Sequence, residues 1–166
     1  MDDPSCHLEP LPDNVFRANV GMVVVNSHGD VLALERSDVR GAWQLPQGGI
    51  DEGENNLEAA YRELHEETGI DRSKVKLLAE HPEWLAYELP KDKRNGKLGR
   101  GQVQKWFVFR FTGEDQDIDL KRAEDNEFSS WAWTRMDRLI QGAVPFRRSI
   151  YLKIAQDFSQ YLDREA

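Results

Sequence analysis

The sequence predicts one α/β domain, with a mixed sheet covered by helices on both faces. Three observations predict it. Short β-branched and aromatic runs recur between Val20 and Thr134, one amphipathic helical segment interrupts them, and a second helical pattern closes the chain. Strands interleaved with helices imply an α/β layer architecture. The 166 residues are 39% hydrophobic and 31% charged, an ordinary balance for one core-forming domain. A chain this long buries roughly two thirds of its unfolded surface, so its core needs no disulfide or metal support.

The first 15 residues hold three prolines and little periodicity, which suggests a loose N-terminal arm ahead of one domain over 16–166. Val20–Val25 and Val31–Arg36 are β-branched runs separated by Ser27-His28-Gly29-Asp30, a hairpin signal. Trp43 to Pro46 is a short extended piece that Pro46 confines to an edge or a strand end. A Gly/Asp/Glu loop from Gly48 to Asn55 leads into a helix of about 13 residues. Leu57, Ala60, Tyr61 and Leu64 define its apolar face at i, i+3, i+4 and i+7. Asn55 or Asn56 can cap its start, Glu58 suits the first turn, and Gly69 suits the C′ position.

Further strands are expected at Val75–Glu80, Glu83–Leu89, Gln104–Phe111 and Phe128–Thr134. The basic stretch 91–101 and the acidic stretch 113–127 read as loops. A last helix is expected from about Arg148 to Leu162, with Ile150, Tyr151, Ile154, Phe158 and Leu162 on its inner face.

A net charge of -8 would argue against a nucleic-acid partner if it were spread evenly. It is not. Residues 48–70 carry net -6, with Arg62 their only base, while residues 91–105 carry net +5. The single cysteine, Cys6, excludes a disulfide framework and points to a reducing compartment, so a cytoplasmic location is expected. No apolar run approaches a membrane span of roughly 20 residues, and the Asp-Asp start does not suggest a signal peptide.

Within the central helix, Glu63, Glu66 and Glu67 stand at i, i+3 and i+4, on the wheel opposite Leu57, Tyr61 and Leu64. A solvated acidic face is the plain explanation, and two energetic facts weigh against it. Like charges at these spacings each cost roughly 0.2–0.5 kcal/mol of helix stability. The helix dipole adds about 0.3–1 kcal/mol against each negative group in the last turns. Carboxylates converging there suit a hard cation such as Mg²⁺ or Mn²⁺.

Gly48, then five residues, Glu54, then seven residues, then Arg62-Glu63-Leu64-His65-Glu66-Glu67-Thr68-Gly69-Ile70 resembles the signature box of the Nudix hydrolases at every defined position. The resemblance implies a Nudix-type α/β/α sandwich with a loop-helix-loop motif. It also implies hydrolysis of nucleoside diphosphates linked to another group, using one to several Mg²⁺ or Mn²⁺ ions. By the family pattern Glu63, Glu66 and Glu67 would bind metal, with the Gly48 carbonyl as a further ligand. Arg62 would orient the glutamates, Glu54 would brace the unit, and Glu63 is the favoured base.

Arg17 to Gly21, Trp43 to Gly49, Trp84 to Pro90, Gly101 to Phe107, Glu127-Phe128 and Val144 to Arg147 extend the resemblance. These segments look like the bacterial RNA pyrophosphohydrolases, and the asymmetrical diadenosine tetraphosphate hydrolases share much of the pattern. Carried over, Glu127 would be another metal ligand or an alternative base. Lys105 and Arg17 would contact phosphates with help from Gln104. Tyr87 would lie beside the site, and Val144, Phe146 and Arg147 would pack a substrate base. The basic stretch 91–101 would steer a polyanion.

Where RNA-acting relatives carry two adjacent arginines, this chain has Arg36-Ser37, which favours a dinucleotide. The implied substrate is 5′-triphosphorylated RNA or a nucleotide polyphosphate such as diadenosine tetraphosphate. No membrane and no stable protein partner are expected. A nucleotide-sensing Nudix module without turnover is the alternative of another class, and the complete glutamate set argues against it. Trp84, Trp131 and Trp133 read as core residues, and His7, His28, His65 and His81 as surface or structural ones.

Overall fold

A computed structural model describes residues 15–94, 99–122 and 126–162. The strands are β1 (Phe16–Val25), β2 (Val31–Arg36), β3 (Trp43–Gln44), β4 (Gln47–Gly49), β5 (Val75–Glu80), β6 (Leu85–Glu88), β7 (Gly101–Phe111) and β8 (Phe128–Thr134). The helices are α1 (Asn56–Thr68), α2 (Met136–Gly142), α3 (Pro145–Asp157) and α4 (Ser159–Leu162).

The two longest strands, β1 and β7, pair in parallel from Phe16↔Gly101 to Val25↔Arg110 and form the spine of one mixed sheet. Both faces of that spine are covered, so β1 is a continuous apolar run from Val20 to Val25 and does not alternate. Trp106 and Val108 enter one core with Val23, Tyr87, Leu139, Ile150, Tyr151 and Ile154, beneath α2 and α3. Phe107, Phe109 and Phe111 enter the other with Val20, Met22, Ala60 and Leu64, beneath α1.

Several sequence expectations change. The β1–β2 hairpin is paired only at its tip, Val25↔Val31, because the rest of that β1 edge is taken by β4 and β2 turns to β8. The stretch read as pure loop from Gly48 therefore opens as strand β4. The last helix starts earlier, at Pro145, whose fixed φ suits a first helical position, and it breaks at Phe158 before α4. Helix α2 is too short to register as a periodic pattern. The basic stretch holds one tight helical turn at Lys91–Lys93, and residues 95–98, including Lys97, lie outside the described residues. So do Cys6, His7 and the rest of the N-terminal arm apart from Val15. Among the described residues no helix is long and apolar enough to cross a membrane.

Candidate active site

Helix α1 matches its predicted bounds. The Asn55 side chain accepts from the Leu57 amide, and Gly69, at φ 74°, closes the end by donating to the His65 carbonyl. The wheel expectation fails for Glu67, which is 5% exposed in the buried sector beside Ala60. It faces β4, where its Oε2 accepts the Gln47 amide at 3.1 Å.

Arg62 organises the other carboxylates. Its Nε and Nη2 donate to both oxygens of Glu54 at 2.8 and 2.9 Å, and Nη2 also reaches the Gly49 carbonyl at 2.9 Å. Its Nη1 donates to Glu63 at 3.0 Å and to Glu66 at 3.1 Å. Glu54 also accepts the Asp51 amide, so it braces loop to helix. Its carboxyl is held below the usual range by the Arg62 hydrogen bonds, and those bonds raise the guanidinium in turn.

Glu63 behaves differently, because its side chain is only 14% exposed. Burial pushes its carboxyl up to about 7 against the pull of Arg62. It lies over Gly48, where a Cβ would fall 2.0 Å from its Cδ, so only glycine leaves room for this carboxylate. Among the described residues no three acidic, histidine or cysteine groups form a ready metal cluster. The donor chemistry nevertheless fits a hard cation. Glu63 and Glu66 each bring an oxygen to the same guanidinium nitrogen, so the two carboxylates converge on an all-oxygen donor set of the kind a hard cation takes.

Glu127, just ahead of β8, pairs with Arg36. Its carboxylate lies 3.6 Å from Arg36 Nη1, and its carbonyl accepts the Ser37 amide. The Arg36 guanidinium is held above its ordinary value chiefly by Asp38, at 2.8 Å, with Glu127 and Glu67 adding to the effect.

The remaining predicted residues divide between the two faces. On the α3 face, Tyr87 stacks on Phe146 at 5.5 Å, and Arg147 lies 5.3 Å over the Phe146 ring while donating to Gln44. Val144 is exposed at the N-cap of α3. Arg17 approaches Gly49, with a guanidinium nitrogen 3.3 Å from where a Cβ would stand. Gln104 is buried on this face and donates to Gln47.

Alternation along β7 sends Lys105 to the opposite, α1 face, where its ammonium lies 3.7 Å from Glu80 and 6.0 Å from the Trp84 ring. Gln104 and Lys105 therefore do not converge.

Sequence reasoning missed a buried amide cluster. Gln102 accepts from Asn19 at 2.7 Å and from the Tyr87 hydroxyl at 2.6 Å, and Gln104 alongside it donates to Gln47. Adjacent Asn and Gln at alternating positions of β1 and β7 were the available signal, because buried polar groups require partners. Two further corrections concern ring residues. His81 is 2% exposed, with Nε2 2.7 Å from Asp157, because the β5–β6 connection folds onto the end of α3. Trp84, expected in the core, is 43% exposed.

A carboxylate-bearing loop and helix, set on the edge of a mixed sheet with one glutamate lodged over a glycine, is the Nudix arrangement. The chain belongs to the Nudix family: residues 15–154 match the NUDIX domain. It is 39% identical over 165 residues to "Nudix hydrolase 26, chloroplastic" of Arabidopsis thaliana, covering 95% of this chain and 76% of that one. It is 43% identical over 148 residues to an RNA pyrophosphohydrolase of Erythrobacter litoralis, covering 86% and 90%. Its fold is shared with a C. elegans Ap4A hydrolase, at TM-score 0.65 and 23% identity over 87% of this chain and 98% of that one. It is also shared with the E. coli dihydroneopterin triphosphate pyrophosphohydrolase, at TM-score 0.68 and 21% identity over 87% and 99%.

Proposed function

We propose that the chain is a Mg²⁺- or Mn²⁺-dependent pyrophosphohydrolase that converts 5′-triphosphate RNA ends to 5′-monophosphates in the cytoplasm. The observation that carries the reading is Glu63. It is a largely buried carboxylate, lodged over Gly48 and sharing Arg62 with Glu66. A carboxylate fixed in this way is placed to accept a proton from a water beside it.

Glu63, Glu66, Glu67, Glu127 and the Gly48 carbonyl would hold the cation, which supplies Lewis acidity and neutralises the polyphosphate oxygens. Arg62 keeps Glu63 and Glu66 aligned. Glu63 takes a proton from the water that adds to phosphorus as the anhydride bond breaks. Arg17 and Lys105 hold phosphate charge. Phe146 and Arg147 pack a base, a contact worth roughly 1–3 kcal/mol whatever the base. The relatives called RNA pyrophosphohydrolase support the RNA end as substrate.

A second reading, asymmetric cleavage of diadenosine tetraphosphate to ATP and AMP, is favoured by Arg36. Ser37 follows it, and Asp38 and Gln44 already engage it, leaving less cation for RNA.

An assay with Mg²⁺ or Mn²⁺ across 5′-triphosphorylated RNA, diadenosine tetraphosphate, dGTP and ADP-ribose, with products identified, tests both. RNA hydrolysed to a 5′-monophosphate end supports the first reading. A preference above tenfold for the dinucleotide replaces it with the second, and no hydrolysis of any substrate overturns enzyme function.

A further inference from the structure

The short segment between β3 and β4 ties the two helical layers together through its backbone amides. Leu45, fully buried, gives its amide to the Tyr151 hydroxyl of α3 at 3.1 Å. Pro46 has no amide to give. Gln47 gives its amide to Glu67 of α1 at 3.1 Å. The two amides that flank Pro46 therefore end on side chains from α3 and α1, the helices that cover opposite faces of the sheet. Gly48, one residue further on, is the seat of Glu63.

Tyr151 is itself firmly held. The residue is 1% exposed, and its ring stands edge-on to Trp106 with centroids 6.2 Å apart. Trp106 in turn packs on Gly21, the β1 partner of Gln47. One turn earlier on α3, Arg147 donates to Gln44 at 2.8 Å, so α3 grips two successive residues, Gln44 and Leu45. Pairing with β1 fixes the register of β4 from Gln47 to Gly49, and the Leu45 amide lies outside that ladder.

We propose that Tyr151 is a positioning residue, whose hydroxyl fixes the Leu45–Gly48 segment and thereby the carboxylates of Glu67 and Glu63. Groups that stand behind a metal-binding side chain orient it, and their loss costs roughly 10- to 100-fold in metal affinity or activity. Removing the hydroxyl leaves the Leu45 amide buried without an acceptor, a penalty that the segment relieves by moving. The inference rests on the metal-dependent reading of Glu63 and Glu67, and it adds the far side of the sheet to their support.

Tyr151→Phe keeps the ring and removes only the oxygen. Ile154→Val thins the same core beneath α3 and removes no hydrogen bond, so it serves as the control for stability. Mn²⁺ binding to each full chain, without substrate, is followed by electron paramagnetic resonance. Steady-state kinetics with 5′-triphosphorylated RNA at saturating Mg²⁺, and circular-dichroism melts, accompany it. In Tyr151→Phe, Mn²⁺ binding weakens and kcat falls, each roughly tenfold, while KM stays within about twofold of wild type. In Ile154→Val, Mn²⁺ binding and kcat stay within about twofold of wild type although the melting temperature falls. Unchanged Mn²⁺ binding and kcat in Tyr151→Phe overturn the assignment, as does a rise in KM alone, which would put the effect on Phe146 and Arg147. Equal losses in Ile154→Val overturn it too, by reducing the effect to core stability. A wild-type chain that binds Mn²⁺ but hydrolyses neither RNA nor diadenosine tetraphosphate overturns the enzyme reading instead, and the Mn²⁺ comparison still decides Tyr151.

Discussion

The two faces of the sheet build their halves of the site by opposite means. On the α1 face the acidic centre comes from one contiguous stretch, Gly48 to Glu67, in which Arg62 alone ties together Glu54, Glu63, Glu66 and the Gly49 carbonyl. On the α3 face Asn19, Gln44, Tyr87, Gln102, Phe146 and Arg147 come from four strands and a helix and meet only through the register of β1, β6 and β7. A local centre shares one backbone and tolerates few changes in geometry. A centre assembled at long range spreads its contacts, so the loss of one weakens binding before it weakens chemistry.

The sharpest way to break this contrast is Glu63→Gln. Turnover is expected to fall about 10²- to 10⁴-fold with the fold intact by circular dichroism. Activity within fivefold of wild type would remove Glu63 as the base.

Gly48→Ala comes next. The added Cβ would meet Glu63 at 2.0 Å and displace its carboxylate, and a misplacement of that order costs roughly 10²-fold in kcat. A kcat near wild type would show that the carboxylate need not sit there.

On the other face, Phe146→Ala should raise KM roughly five- to tenfold, consistent with the loss of part of a base stack, while kcat moves little. A larger loss in kcat than in KM would erase the distinction between the faces.

The smallest expected effect is on stability without added metal. Burial raises the Glu63 carboxyl from 4.5 to about 7, so the folded chain holds this proton more tightly than the unfolded one. That contribution is fully present below pH 4.5 and is lost as pH rises through about 7. Thermal melts in EDTA should therefore show the wild type losing ground to Glu63→Gln as pH rises across this window. Parallel curves would contradict the buried-carboxyl account.

The sequence made α1 legible to the residue, because its cap, apolar period and terminal glycine all lie within its own span. β2, β5 and β8 also match their predicted bounds. The first turns of β1 and β7, Phe16–Asn19 and Gly101–Val103, carried no strand pattern, since Arg17-Ala18-Asn19 and Gly101-Gln102 become strand only by pairing with each other. His81 and Trp84 were misread for one reason: residues two or three apart in a connection give no sign of which faces inward.

The sequence by itself determined the acidic loop and helix, its Arg62-centred pairing partners and the family, because those residues are close along the chain and helix geometry holds their spacing. Only the tertiary structure decided that Glu67 is buried, that Gln104 and Lys105 face opposite sides, and that Trp84 stands open beyond Lys105. Those outcomes depend on strand register, where a shift of one residue moves every side chain to the other face.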